Sequence, residues 1–255
     1  MNVIEAVILG VIEGLTEFLP VSSTGHMILT SYLLKIQETE FLKTFEIVIQ
    51  LGAILAIVWL YASRFLTRFD LYLKIAVAFL PTGVIGLLAY STIKNYLFNP
   101  VVVAISLVVG GIVLIIIDRE VENRTSLWGD VADLSYKNAF FIGLIQCFSM
   151  IPGVSRAAAT IIGGVFNGFD KKQSAEFSFL LAVPTMLAAS GYDLLKTELA
   201  FTGDHLLFLG IGLCIAFISA WIAVKLFLKL IERYGFKYFG YYRIIIGLIF
   251  LIVML

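Results

Sequence analysis

Glu13-Gly-Leu-Thr-Glu17-Phe-Leu-Pro20-Val-Ser22-Ser23-Thr24-Gly25-His26 lies inside a run that is otherwise apolar enough to read as a membrane helix. It packs two carboxylates, a proline, the hydroxyl run Ser22–Thr24, a glycine and an imidazole into a short span. Polar and ionisable groups at membrane depth cost free energy, and they mark a functional site by default. No other stretch of the chain carries so many.

The surrounding composition supports that depth. Of 255 residues, 60% are hydrophobic and only 14% charged, whereas a soluble domain has about a quarter charged residues. Mean hydropathy is +1.00. The apolar runs are long enough for helices rather than barrel strands, so the chain reads as an all-α integral membrane protein. Formal net charge is zero, which gives no reason to expect nucleic acid. Cys147 and Cys214 sit in apolar runs and read as buried thiols, with nothing to support a disulfide. Residues 1–12 lack the basic flank and small-residue cleavage site of a signal peptide, so the first apolar segment is expected to be retained.

The chain divides by its breaks. Pro20 should interrupt the first helix, because it lacks an N–H and clashes with the preceding turn. The hydroxyl cluster after it suits a turn or a helix N-cap. Neither piece, 3–19 nor 27–34, is a comfortable span of about 20 residues. The favoured reading is a re-entrant hairpin turning at Pro20–Gly25; the alternative is one kinked spanning helix. Full spans are expected near 44–62, 74–91 and 100–118, then a polar joint over 119–137. Beyond it, Pro152-Gly153-Val154-Ser155-Arg156 interrupts a second apolar run, and three more spans fall near 176–194, 206–229 and 239–255.

The halves, 1–118 and 138–255 of a single polytopic domain, resemble one another. Gly10, Glu13, Glu17, Pro20 and Ser22 or Ser23 fall against Gly143, Gln146, Met150, Pro152 and Ser155, and Glu46 falls against Glu176. Each half is one hairpin plus three spans. Three is odd, so the second half enters from the opposite face, an inverted-topology repeat that brings two broken-helix tips together near the midplane. Chance likeness between apolar segments is the competing explanation; the matched breaks favour the repeat. Under this topology Arg64, Arg68, Lys74, Arg119, Arg124, Lys137, Lys171, Lys172, Lys229, Arg233 and Lys237 share one face, and only Lys35, Lys43, Lys94 and Lys196 the other. The first face is therefore expected to be cytoplasmic.

The candidate chemistry follows from residue type. Glu13 and Glu17 are i,i+4 on a helix and share a face. Side by side in low dielectric, one must protonate or a cation must sit between them; oxygen-only ligands suit Mg²⁺ or Ca²⁺. Ser22, Ser23, Thr24 and Gly25 can form an anion cradle with their free N–H groups, though one cap alone would explain one hydroxyl. His26, three residues after Ser23, could activate a hydroxyl or protonate a leaving group. Arg156 reads as the only arginine placed well inside an apolar segment, and its planar fork matches phosphate oxygens; a salt bridge to Glu13 or Glu17 is compatible with that. Ser155 and Thr160 could face the same side. Gly163, Gly164 and Gly168 read as close helix packing. Together these groups suit phosphoryl transfer from a lipid-borne substrate.

In EGLTEFLPVSSTGH at 13–26 and PGVSRAAAT at 152–160, supported by KTFEIVIQLG at 43–52 and AEFSFLLAVP at 175–184, the chain resembles the bacterial undecaprenyl-diphosphatases, the bacitracin-resistance phosphatases. The likeness runs over almost the whole chain. It implies hydrolysis of undecaprenyl diphosphate to the monophosphate, recycling the cell-wall carrier lipid in the bacterial cell membrane with a divalent metal. It also implies functional places for Glu13, Glu17, Ser23, His26, Ser155, Arg156 and Thr160, on a fold of inverted re-entrant repeats. Ala157 and Ala158 depart from the Ser-Gly that many relatives carry after the arginine. The residues leave the nucleophile open among Ser23, His26 and water, leave Mg²⁺ open against Ca²⁺, and leave the oligomeric state open, a homodimer being one option. The rival function is a transporter or flippase of a polyprenyl phosphate lipid, since inverted repeats with broken helices also build transporters.

Overall fold

The computed structural model describes the backbone of residues 1–97, 99–121, 125–196 and 203–254, with side chains except over 90–96, 196 and 254. Three residues of the sidedness pattern, Lys94, Arg124 and Lys196, lie outside the described side chains. Among the described residues the chain is all helical. The helices are α1 (Val3–Thr16), α2 (Ser23–Leu33), α3 (Glu40–Leu60), α4 (Ala62–Thr67), α5 (Phe69–Tyr96), α6 (Pro100–Glu120), α7 (Tyr136–Gln146), α8 (Arg156–Phe166), α9 (Lys171–Lys196), α10 (Gly203–Tyr234) and α11 (Lys237–Met254). Short 3-10 turns cover Val131–Asp133 and Cys147–Met150.

Five of these, α3, α5, α6, α9 and α10, are long and apolar enough to cross a membrane. The span expected over 239–255 is α11, whose 18 residues sit at the short end of the roughly 17–25 a crossing needs; it is not among the five. Polar caps start the helices where the sequence offers them. Asn2 and Glu5 form a reciprocal capping box at α1, which gives Glu5 a local task away from the motif. Thr39 caps α3 and Asn99 caps α6 ahead of Pro100.

The two motif stretches break their helices as expected. With 14 and 11 residues, α1 and α2 are about 21 and 16 Å long at 1.5 Å per residue, short of the ~30 Å hydrocarbon core. The same holds for α7 and α8, with 11 residues each. Met1, before α1, and Ile36, after α2, join one apolar cluster with Phe41 and Phe208. At the second pair, Asn138 at the start of α7 donates to the Asn167 carbonyl after α8 (3.5 Å).

The helix pairings cross between the halves. α1 packs on α10 and α7 on α5; α3 packs on α9 and α6 on α11. Glycines permit the closest approaches: a Cβ at Gly14 would lie 2.5 Å from Ala216 O, and one at Gly143 only 2.0 Å from Ala78 O. Small residues at such crossings let backbones meet.

Two expectations change here. Gly163 and Gly164 face neighbouring helices closely, whereas Gly168 packs against Leu127 of the joint, has φ +97 and ends α8: Phe169 N–H donates to Gly164 O (3.1 Å), the Schellman pattern that favours glycine. Cys147 is half-buried and Cys214 exposed, both free, because α10 turns Cys214 outward on an apolar helix face.

The polar joint over 119–137 is partly helix, since α6 runs to Glu120 and α7 starts at Tyr136. Its described part docks onto the α8–α9 turn. Leu127 N–H donates to Gly168 O (2.8 Å) and Trp128 Nε1 to Asn167 O (2.9 Å). Arg64 bridges Asp130 (2.7 Å) and Glu176 (3.0 Å). Burial pushes the Asp130 carboxyl up, but the Ala132 N–H and Arg64 outweigh it and leave it below the usual range.

Candidate active site

Both breaks end in the same device. Ser22 caps α2 with φ +71, and its Oγ accepts from Gly25 N–H (3.4 Å); Ser155 caps α8 with φ +76, and its Oγ accepts from Ala158 N–H (3.2 Å). Non-glycine residues held at positive φ cost on the order of 1–3 kcal/mol and persist where the surroundings over-determine them. This pairs Ser22, rather than Ser23, with Ser155. Ser23 and Arg156 are then the matched first residues of α2 and α8.

Those two residues meet at Glu17. Ser23 Oγ donates to Glu17 Oε2 over 2.5 Å. Arg156 Nη2 lies 3.3 Å from Glu17 Oε1 and 3.4 Å from its carbonyl oxygen, while Nη1 donates to Ser178 O (3.0 Å). Arg156 Nε is buried without a partner. Glu17 and Ser23 are buried, so this charge-assisted cluster stands in low dielectric, where such bonds are short and strong.

Glu13 lies one turn back on α1, with Glu17, Glu46 of α3 and Arg156 as the charged groups near it. Its Oε1 is buried and has no hydrogen-bond partner. An orphaned carboxylate oxygen beside an all-oxygen donor set fits a hard divalent cation. Among the described residues no group of three or more His, Cys, Asp or Glu gathers as ligands. A cation here would therefore draw further ligands from substrate oxygens, as Mg²⁺ sites on one or two carboxylates do.

A cavity of about 570 Å³ opens on this cluster. Glu17, Ser22, Ser23, Thr24, Ser155 and Arg156 form its polar end. Its wall from α5 and α9 is mostly apolar, with Phe79, Leu87, Met186 and Ala189, and also carries Thr82, Thr185, Tyr192 and Asp193.

Four of the expected site residues, Glu13 among them, do not line that cavity. Thr160 is fully buried behind Arg156, bonded to Ser178 Oγ (2.6 Å) and Arg156 O (2.9 Å). Gly25 packs on Val103 and Leu107. The expected pairing of His26 with Ser23 is not formed: His26 Nδ1 lies 2.8 Å from Ser22 O and Nε2 2.8 Å from Tyr242 Oη. The Ser23 hydroxyl goes instead to Glu17, because a carboxylate is the stronger acceptor.

Arg156 is also not alone. Arg243 of α11 is completely buried. It donates to Pro20 O (3.1 Å) at the first turn, to Val154 O and Gly153 O (2.8 Å each) at the second, and to Ser106 O (3.0 Å) and Leu107 O (3.3 Å) of α6. It fastens both turns to one helix. The sequence signal was available in Tyr241-Tyr242-Arg243, an arginine inside the last apolar run. Gln146, the counterpart of Glu13, is fully buried and donates to Thr82 Oγ1 (2.7 Å). The second half thus has a neutral amide where the first has a carboxylate.

Membrane-length apolar helices around a buried serine–glutamate–arginine cluster, open to a largely apolar cavity, define a multi-pass membrane protein with a polar site enclosed among its helices. The family model described as bacitracin resistance protein BacA matches residues 6–249, and the chain belongs to that family. It is 51% identical to an undecaprenyl-diphosphatase of Wolinella succinogenes over 98% of both chains. It is 49% identical to one of Persephonella marina over the full length of both, and 50% identical to one of Aquifex aeolicus over 96% of both.

Proposed function

We propose that the chain is a membrane phosphatase that hydrolyses undecaprenyl diphosphate to undecaprenyl phosphate and inorganic phosphate, recycling the cell-wall carrier lipid. The observation that carries this reading is the Ser23–Glu17–Arg156 cluster at the polar end of a mostly apolar cavity. Relatives about half identical over nearly the whole chain bear that enzyme's name.

In this reading Ser23 Oγ attacks the terminal phosphorus and its proton passes to Glu17. The new O–P bond forms as the bridging P–O bond breaks, and undecaprenyl phosphate leaves. Water then attacks the phosphoserine, returning the serine and releasing inorganic phosphate. Arg156 leaves Glu17 to take the diphosphate oxygens with its fork. The N–H groups at the start of α2, with Ser22, Thr24 and Ser155, complete the anion cradle. Glu13 and Glu17 would hold a divalent cation, Mg²⁺ or Ca²⁺. When bound, it would offset charge on the transferred phosphoryl group.

The architecture we infer is an inverted-topology repeat, with α1–α2 and α7–α8 as re-entrant hairpins. Its support is the matched serine caps, the crossed helix pairings, and the Asn138–Asn167 bond that brings the two ends of the second broken pair together. The basic-residue bias then puts the α3–α5 and α6–α7 connections in the cytoplasm of a bacterial cell and opens the site toward the outer face.

A flippase built on the same frame is the second reading. Purified protein in detergent with farnesyl diphosphate separates the two. The phosphatase reading expects inorganic phosphate, released in a divalent-cation-dependent way. A flippase releases none, since transport has no product there.

A further inference from the structure

We propose that Tyr242 is a positioning residue that locks the His26 imidazole in the tautomer with its proton on Nδ1, and through it holds Ser23 against Glu17. The inference rests on the phosphatase reading, in which Ser23 is the reacting hydroxyl.

The tautomer follows from the partners. His26 Nδ1 is 2.8 Å from the Ser22 carbonyl oxygen, which can only accept, so Nδ1 carries the hydrogen. Nε2 of the neutral ring is then an acceptor. It lies 2.8 Å from Tyr242 Oη, and the phenol donates. The two rings are nearly parallel, 7° apart, with centroids at 5.5 Å.

The tyrosine is itself held. Its neighbour on α11, Arg243, is anchored on five carbonyls from both turns and α6. The Tyr242 hydroxyl therefore has a fixed distance to the first turn.

The consequence runs back to the nucleophile. Ser22 sits at positive φ, and the imidazole N–H on its carbonyl is one of the bonds that keep it there. Ser23 follows directly, and its Oγ points at Glu17. In the opposite tautomer, Nδ1 would present a lone pair to Ser22 O, and two acceptors would repel. With Tyr242 gone, Nε2 of a buried ring loses its donor, and the productive tautomer is selected by the Ser22 carbonyl alone and less strongly.

The test uses purified full-length protein in detergent, labelled with ¹⁵N-histidine, with His205→Gln leaving His26 as the only histidine of the two. The expected wild-type ring shows a protonated Nδ1 and an unprotonated Nε2. Tyr242→Phe keeps the ring and its packing; it should give averaged shifts from two tautomers. Its kcat should fall about tenfold, the scale of one lost hydrogen bond, with KM unchanged. Tyr241→Phe, one residue away, should alter neither. A wild-type ring protonated on Nε2 overturns the proposal whatever the variants do. So does Tyr242→Phe with a single unshifted tautomer, or with full kcat. If the wild type releases no phosphate, the phosphatase reading fails instead, and the ¹⁵N shifts still decide the role of Tyr242.

Discussion

Ser23 Oγ and Glu17 Oε2 are 2.5 Å apart, and the other oxygen of the same carboxylate faces Arg156 at 3.3 Å. One side chain therefore sits between the hydroxyl that would react and the cation that would hold its target. Glu17→Gln separates these duties. The amide still accepts from Ser23 but cannot take its proton, so kcat should fall by roughly 10²–10⁴-fold, the usual worth of a positioned base. The divalent-cation dependence should weaken with it, because Glu17 is one of the two carboxylates proposed to hold the cation. Full kcat in a folded Glu17→Gln protein would remove Glu17 as the base.

Arg156→Lys asks whether geometry or charge matters. Arg156 is largely buried and already spends Nη1 on Ser178 O. Lysine keeps a charge but loses the planar fork, and it gives up its proton more readily when desolvated. Arg156→Lys should therefore lose nearly as much kcat/KM as Arg156→Ala. A folded Arg156→Lys protein with about half the wild-type kcat/KM, on the scale of a surface contact, would reduce the arginine to a counter-charge for Glu17.

Arg243 answers to stability before activity. Five carbonyls turn to it, and Arg243→Met takes the arginine donors from Pro20, Gly153 and Val154 of the two turns, at roughly 1–3 kcal/mol for each that water does not reach. Several kcal/mol corresponds to a melting temperature lower by about 10 °C or more at this chain length. A melting temperature within about 2 °C of the wild type, on the same conversion, would mean that the two turns do not depend on this clamp.

The motif at 13–26 announced itself because each polar group there is costly in an apolar run. The same cost made Pro152–Arg156 legible, and the two breaks appear where the prolines put them. Arg243 did not stand out. Its place inside the last apolar run, after Tyr241 and Tyr242, was the one local signal. Its burial is set by carbonyls that two distant turns leave open, and no local pattern marks those. The Ser23–His26 hydrogen bond is absent for a related reason. Spacing of three places His26 near the face of Ser23, but the carboxylate of Glu17 and the hydroxyl of Tyr242, from other helices, decide which bonds form. Ser22 against Ser155 was a register choice of one residue, decided only by which serine takes positive φ.

Sidedness can be read by labelling. With Cys147 and Cys214 replaced, single cysteines at the exposed positions Ser63 and Thr125 should resist impermeant thiol reagents in intact cells. One at the exposed Gln37 should react. The reverse pattern inverts the molecule in the membrane and turns the site toward the cytoplasm.

The nucleophile is the centre of the account, and Ser23→Ala measures it most directly. Alanine fits wherever serine fits, and the Ser22 cap and the Arg156–Glu17 pair are left in place. Initial rates of phosphate release from farnesyl diphosphate by the purified variant, with folding checked by its melting curve, should show kcat lower by several decades and KM little changed. A loss of only about tenfold is the size of one hydrogen bond, on the order of 1 kcal/mol. That result would contradict attack by Ser23 and leave His26 or a water molecule as the nucleophile.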